Sequence, residues 1–168
     1  FNADLKHLDC REWPHVKYIP ADLTKKKTLK QLFSEELFRN YEKRNYDVIF
    51  HPASLYDYGA SYELLHSVNY MGLKNLLEVA LEYSEHNNVD FPKFIHWSTC
   101  GVYGEPNYKK DEQGIIFPVG ESAPYNPPNN YSQTKVEQEK LIFDFAKENS
   151  EFNYIILRPA PIYGPYQS

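Results

Sequence analysis

Short apolar runs alternate with longer amphipathic stretches along the chain, and the two periods predict different elements. VKYIP (16–20) reads as a buried strand, and Thr24 as the N-cap of a helix running to about Tyr41. YDVIFH (46–51), rich in β-branched and aromatic residues, is a second strand. A long helix follows over 61–83, with Leu65, Val68, Gly72, Leu76 and Ala80 along one stripe. FPKFIHWST (91–99) is a third strand, a helix runs from Tyr131 to about Lys147, and YIILRP (154–159) is a fourth strand. Strand and helix alternate with no repeat, low-complexity tract or obvious linker. That order predicts an α/β fold, a doubly wound parallel sheet with crossover helices.

One connection breaks the rhythm. The loop from Gly104 to Asn130, rich in Gly, Pro and Asn, is long for such a link, and loops of that length usually serve a function or are disordered. It joins the carboxyl end of a strand to the Tyr131 helix, where open α/β sheets bind ligands. It is a candidate substrate lip.

Composition narrows the classes. At 168 residues, 42% hydrophobic and 16% aromatic, the chain can bury a sizeable core as one domain. A net charge of −5 and a pI near 5.7 argue against a nucleic-acid surface, and the run Lys25–Lys27 reads as a solvated helix start. No apolar run approaches the ~18 residues that span a bilayer. The two cysteines, Cys10 and Cys100, have no metal-ligand spacing, and the six histidines form no helical pair, so no metal is expected. A reducing, cytoplasmic location is the default.

Candidate chemistry gathers at the strand ends. NNYSQTK sets Tyr131 and Lys135 one helical turn apart, but with 15 tyrosines such a pair arises about once by chance. Tyr70 and Lys74 are a second such pair. The first has company: strand two ends in HPAS (51–54), whose small residues let a ligand approach the backbone. Strand three ends in the hydroxyl-bearing HWSTCGVYG (96–104), and strand four in LRPAPIYGP (157–165). These ends and the start of the Tyr131 helix converge on one edge of the sheet.

With ADL (21–23), DVIFHPAS (47–54), VN (68–69), STCGVYG (98–104), YSQTK (131–135) and LRPAPIYGP in that order, the chain resembles the extended short-chain dehydrogenase/reductase family, which contains nucleotide-sugar epimerases and dehydratases. The resemblance covers nearly the whole chain. Tyr70 and Lys74 fall away from the shared edge and read as a chance pair. The resemblance implies NAD as cofactor, with NADP left open, and a catalytic set of Thr99, Tyr131 and Lys135. A phenol of pKa near 10 is a poor base at neutral pH, and an ammonium one turn away together with a positive nicotinamide ring would lower it. Tyr131 would then take the proton of a substrate hydroxyl as hydride leaves the carbon. Lys135 would also bond the nicotinamide ribose, and Thr99 would hold the substrate oxygen. A strand-end hydroxyl satisfying local backbone is the plainer reading of Thr99.

The remaining cofactor assignments come from the same resemblance. Asp22 and Leu23 match the segment at the adenine, although ADLT reads equally as a helix-start cap. Pro52, Ala53 and Ser54 line the cleft at the end of strand two. Asn69 matches a helix asparagine beside the cleft, with a buried hydrogen-bonding role as its alternative. Pro159 and Ala160 match the segment near the nicotinamide amide, or else a rigid turn closing the strand. His51 is assigned no chemistry.

Two departures from the family pattern matter. No GxxGxxG loop occurs, and the first residues look like chain that follows the family's second strand, so 1–168 reads as a partial Rossmann domain lacking the first two strands and the C-terminal substrate region. In the order 3-2-1-4-5-6, VKYIP and YDVIFH should then lie apart without direct pairing, while YDVIFH, FPKFIHWST and YIILRP form one parallel set. Secondly, Cys100 and Gly101 stand where 4,6-dehydratases carry the Asp-Glu pair of their elimination step, which disfavours that reaction. The leading reading is a nicotinamide-dependent epimerase or oxidoreductase acting on a nucleotide-sugar hydroxyl, this chain alone being inactive. Alternatives are a reductase or dehydrogenase of a non-sugar carbonyl or sterol-like alcohol, and a dinucleotide-binding sensor without catalysis. The intact Thr99, Tyr131 and Lys135 weigh against the sensor. A homodimer through helices 61–83 and 131–147 is expected from their surplus apolar residues and from the pairing of these helices in the family.

Overall fold

The computed structural model describes residues 2–4, 16–39, 42, 44–105, 112 and 120–162. Cys10, Tyr41, residues 106–111 and 113–119 of the 104–130 loop, and Tyr163–Pro165 lie outside the described residues.

The elements in chain order are β1 (Asn2–Asp4), β2 (Tyr18–Pro20), α1 (Lys26–Lys30), a 3₁₀ turn (Gln31–Phe33), α2 (Glu35–Phe38) and β3 (Val48–His51). There follow α3 (Tyr62–Leu65), a π turn (His66–Tyr70), α4 (Met71–Asn87), β4 (Lys93–Trp97), a 3₁₀ turn (Cys100–Tyr103), α5 (Asn130–Glu148) and β5 (Tyr154–Leu157). All described pairings are parallel. β3, β4 and β5 form one sheet in that order, with His51 opposite His96 and Trp97 opposite Leu157. β1 and β2 form a second sheet, with Asn2 opposite Tyr18.

β2 has no ladder with β3, and the three later strands are contiguous, as the sequence predicts. The strand inventory is corrected at one point. Residues 2–4 supply a strand beside β2, where the sequence reading had none. Three residues are too few to show the alternation on which a strand assignment rests. In the order 3-2-1-4-5-6 a single strand position then separates the two sheets.

The helices α1, α4 and α5 cover one face of the three-stranded sheet. Leu29, Leu73, Leu77, Ala80, Phe94 and Ile142 meet there, at or near full burial. Each such Leu, Ile or Phe side chain removed from water contributes about 1.5–3 kcal/mol, and the Ala80 methyl less. The opposite face shows Val48, Phe50, Ile155 and Leu157, all exposed. Two aromatic knots brace the strand starts. Phe33 and Phe38 pack edge-on to Tyr46, whose hydroxyl donates to Leu32 O at 2.5 Å. Phe152 meets Phe91 and Phe145 edge-on at 5.1 and 4.8 Å.

The helix expected from Thr24 differs in detail. Lys25 occupies the N-cap position without a side-chain cap bond, and the Thr24 hydroxyl donates instead to Asp22 Oδ1 at 2.7 Å. Ser34, extended at φ −82° and ψ 143°, then divides α1 from α2. The lysines there are solvated as expected; Lys26 pairs with Glu78, and Lys30 with Glu82 at 2.9 Å. In the next helix the Ser61 hydroxyl accepts from Leu64 N at 3.3 Å, a side-chain cap. The π turn inserts there, and such turns gather at functional sites. It carries Asn69 inward to full burial. Among the described residues no helix is long and apolar enough to cross a membrane.

Candidate active site

α5 starts cleanly because the Asn129 side chain accepts from Ser132 N at 2.8 Å after a helix-averse PYNPPNN. Its first turns put Tyr131, Thr134, Lys135, Gln138 and Glu139 toward the sheet, all buried. Lys135 is fully buried at the carboxyl ends of β3 and β4. Its Nζ donates to Ser54 Oγ at 2.5 Å and to Trp97 O at 2.8 Å, and lies 5.7 Å from the centre of the Tyr131 ring. Tyr131 and Lys135 thus share one side of the helix. Burial pushes Lys135 down to about 7, opposed by the Glu139 carboxylate.

Tyr131 departs from expectation. Burial, with Tyr58 and Tyr56 beside it, pushes its phenol up to about 12 rather than down. The ammonium that should favour the phenolate is shared between Ser54 and Trp97, so the chain's own groups keep the phenol protonated.

Thr99 caps the 3₁₀ turn, its Oγ1 accepting from Gly101 N at 3.1 Å. That is the plainer role read for it, and it also fixes the hydroxyl beside α5. A Cβ at Gly101 would lie 2.9 Å from Ser132 Oγ and 3.4 Å from Thr99 Oγ1, so Thr99 stands within one residue's width of the helix start. The same crowding leaves little room for the acidic side chain a dehydratase needs there. Gly104, at φ 62°, tolerates no side chain, since a Cβ would fall 2.0 Å from Asn126 O. Asn126 N in turn donates to Val102 O, which folds the loop's end back onto this turn.

The cofactor assignments divide. Pro52 and Ala53 are exposed, Ser54 is half-buried on Lys135, and Ala160 is exposed, so these line the open edge. The Pro159 carbonyl accepts from Cys100 N at 3.0 Å, joining two strand ends as a rigid turn would. Asn69 is spent internally. Its Oδ1 accepts from Leu55 N at 2.7 Å and its Nδ2 donates to Leu55 O and Thr134 Oγ1. Its buried hydrogen-bonding role holds the loop after β3. Asp22 accepts from Thr24 N and Oγ1 and pairs with Lys25 at 2.8 Å, bonds that hold its carboxyl down at about 2. Leu23 packs on Gly72, and its carbonyl accepts from Asn75. The bonds from Thr24 to Asp22 fold ADLT into a turn ahead of α1, whose N-cap residue Lys25 has no side-chain cap bond. Tyr70 stacks on His66 at 4.7 Å and Lys74 reaches toward Glu78, away from this edge.

Several residues here escaped the sequence reading. Glu139 is fully buried and accepts from Ser98 Oγ at 2.5 Å, from Tyr125 OH at 2.6 Å, and from Arg158 at 2.6 and 3.0 Å. Arg158 also donates to Tyr103 OH and to Glu121 O, with its guanidinium over the Tyr103 and Tyr125 rings. This clamp ties β4, β5, α5 and the end of the long loop together. The signal was available, since Glu139 lies one turn beyond Lys135 on the same face. His51, read from the sequence as having no chemistry, stacks on His96 at 5.4 Å with Nδ1 atoms 3.2 Å apart, so one ring donates and the other accepts. Burial, reinforced by the nearby Lys135, drives His51 down to about 3 and His96 well below its ordinary range. Both are neutral core residues. Among the described residues no cluster suits a metal ion.

The sequence profile of the NAD dependent epimerase/dehydratase family matches residues 4–168. A probable UDP-arabinose 4-epimerase of Arabidopsis thaliana is 32% identical over 143 residues, which are 85% of this chain and 30% of that protein. A 3beta-hydroxysteroid-dehydrogenase/decarboxylase of the same plant is 29% identical over 157 residues, 89% of this chain and 29% of that protein. The UDP-glucose 4-epimerase of Thermus thermophilus in complex with NAD superposes with a TM-score of 0.69 at 25% identity, covering 94% of this chain and 46% of that one. The chain spans about a third of the length of the curated relatives it matches.

Proposed function

Because the chain belongs to the NAD dependent epimerase/dehydratase family, we propose that the whole protein is an NAD-dependent epimerase or oxidoreductase acting on a hydroxyl of a nucleotide-activated sugar. The observation that carries this is Lys135, fully buried yet placed at the open carboxyl ends of two parallel strands beside the Tyr131 ring. A buried lysine with a lowered pKa in such a place is a functional feature more often than a structural one.

The residues present fit a dinucleotide at this edge. Lys135 uses two of its three N–H groups on Ser54 and Trp97, leaving one for a ribose hydroxyl. Pro52, Ala53 and Ala160 are small, exposed and able to take a flat ring close to the backbone. The cofactor, when bound, supplies a hydride acceptor and a positive ring. Tyr131 takes the proton of the substrate hydroxyl, and Thr99 Oγ1 holds the same oxygen. Tyr131 does so as its phenolate, which burial and then Tyr58 and Tyr56 disfavour and a positive ring beside it favours. Asn69 acts through Leu55, holding the loop that carries Ser54.

The test is turnover. The whole protein incubated with UDP-arabinose or UDP-glucose should invert C4, read by NMR, and should release NAD on denaturation. Oxidation of a 3β-hydroxysteroid with no sugar turnover would favour instead the second reading, which rests on the similarity to the steroid dehydrogenase. The same proposal includes a homodimer through the helices at 61–83 and 131–147. Tyr62, Leu64 and Met71 are exposed there, and Tyr62 OH donates to Glu137 at 2.9 Å, so the two helices lie side by side. Sedimentation at micromolar concentration should show a dimer, and a monomer alone would count against it.

A further inference from the structure

Two tyrosines stand at the rim of the site without a part in its proton transfer. The loop after β3 presents Tyr56 and Tyr58, 65% and 60% exposed. Their rings meet edge-on at 5.0 Å, and their hydroxyls are 3.1 Å apart. Both also stand edge-on to the Tyr131 ring, at 4.9 and 5.9 Å with interplanar angles of 87° and 88°. The pair therefore flanks the Tyr131 side of the candidate site.

The loop that carries them is held on both sides. Asn69 bonds both backbone groups of Leu55, and Asp57 Oδ1 accepts from Gly59 N at 2.8 Å. Two large rings fixed in solvent next to a buried phenol are surface awaiting a partner. The partner's chemistry follows from what a tyrosine offers, an apolar ring with a polar tip. A pyranose or furanose matches both, with C–H groups on its face and hydroxyls around its rim.

We propose that Tyr56 and Tyr58 form the wall that holds the sugar ring of the substrate, their rings against its C–H face and their paired hydroxyls bonded to its hydroxyls. A ring held there turns its reacting carbon toward Tyr131 and Thr99. The proposal deepens the nucleotide-sugar reading and rests on it. A steroid would use the rings and leave the hydroxyl pair idle, so the two hydroxyls are the part of the wall that selects a sugar.

Calorimetric titration of the whole protein with UDP-glucose and with UDP alone separates the wall from the rest of the site. Tyr56→Ala and Tyr58→Ala should each weaken UDP-glucose about tenfold or more while leaving UDP within about twofold. The double variant Tyr56→Phe/Tyr58→Phe, which keeps the rings, should weaken UDP-glucose by roughly threefold to tenfold through the lost hydroxyls. Unchanged UDP affinity also shows that the variants fold. If the wild type binds UDP-glucose and the alanine variants match it, the wall is overturned and the sugar reading stands. Equal losses for UDP and UDP-glucose overturn the wall as well. A wild type that binds neither nucleotide removes the sugar reading and the wall with it.

Discussion

Tyr131→Phe is expected to lower kcat of the whole protein by about 10²-fold or more while cofactor affinity stays unchanged, since general base catalysis is worth that much. Phenylalanine keeps the ring that packs edge-on to Tyr56 and Tyr58, so the fold of the site survives the change. Only the hydroxyl is lost. The alternative acceptors nearby are poor. Thr99 Oγ1 already accepts from Gly101 N, and Lys135 Nζ is held by Ser54 and Trp97 O, 5.7 Å from the centre of the Tyr131 ring. Steady-state kinetics together with cofactor titration check the prediction. Turnover at the wild-type rate would remove Tyr131 from the chemistry.

The second large effect is structural. Glu139→Gln should destabilise the protein by about 3 kcal/mol or more, because it leaves the Arg158 guanidinium packed without its counter-charge. Arg158 is held above its ordinary pKa first of all by its bonds to Glu139, so it keeps its charge at any accessible pH. Ser98 and Tyr125 lose a charged acceptor in the same step. Replacing both partners, Glu139→Leu with Arg158→Met, should recover much of the loss, since an apolar pair needs no counter-charge. Urea midpoints of the three proteins decide it. A Glu139→Gln midpoint equal to wild type would show the clamp to be energetically idle.

The alternation of elements was legible because each strand carries a dense apolar run. Val48–His51, Lys93–Trp97 and Tyr154–Leu157 all lie inside the stretches read as strands. The strand ends were overrun: Phe91, Ser98 and Arg158 continue the pattern, but the assigned strands stop short of them. The break at Ser34 carries no Pro or Gly to announce it. Packing of Phe33 and Phe38 on Tyr46 and Tyr83 sets it, and those contacts are remote in sequence. The π turn is equally silent, since one extra residue leaves the apolar stripe from Leu65 to Ala80 looking regular.

At the site, the motif residues were readable because they are local. Tyr131 and Lys135 sit one turn apart, and Ser54 and Thr99 follow their strands directly. What sequence could not supply was the environment. The rise of the Tyr131 phenol comes first from burial and then from Tyr58 and Tyr56, more than seventy residues away in the chain. The Glu139–Arg158 clamp and the buried His51–His96 pair likewise join elements that only the sheet order brings together.

Hydride chemistry on a nucleotide sugar is proposed for the Thr99–Tyr131–Lys135 edge. A crystal structure of the whole protein with NAD and a UDP-sugar tests it most directly. The sugar oxygen on the reacting carbon should lie about 2.6–3.2 Å from both Tyr131 Oη and Thr99 Oγ1, the range in which a proton can pass. A sugar bound with that oxygen more than roughly 10 Å from Tyr131, beyond any direct proton transfer, would contradict it.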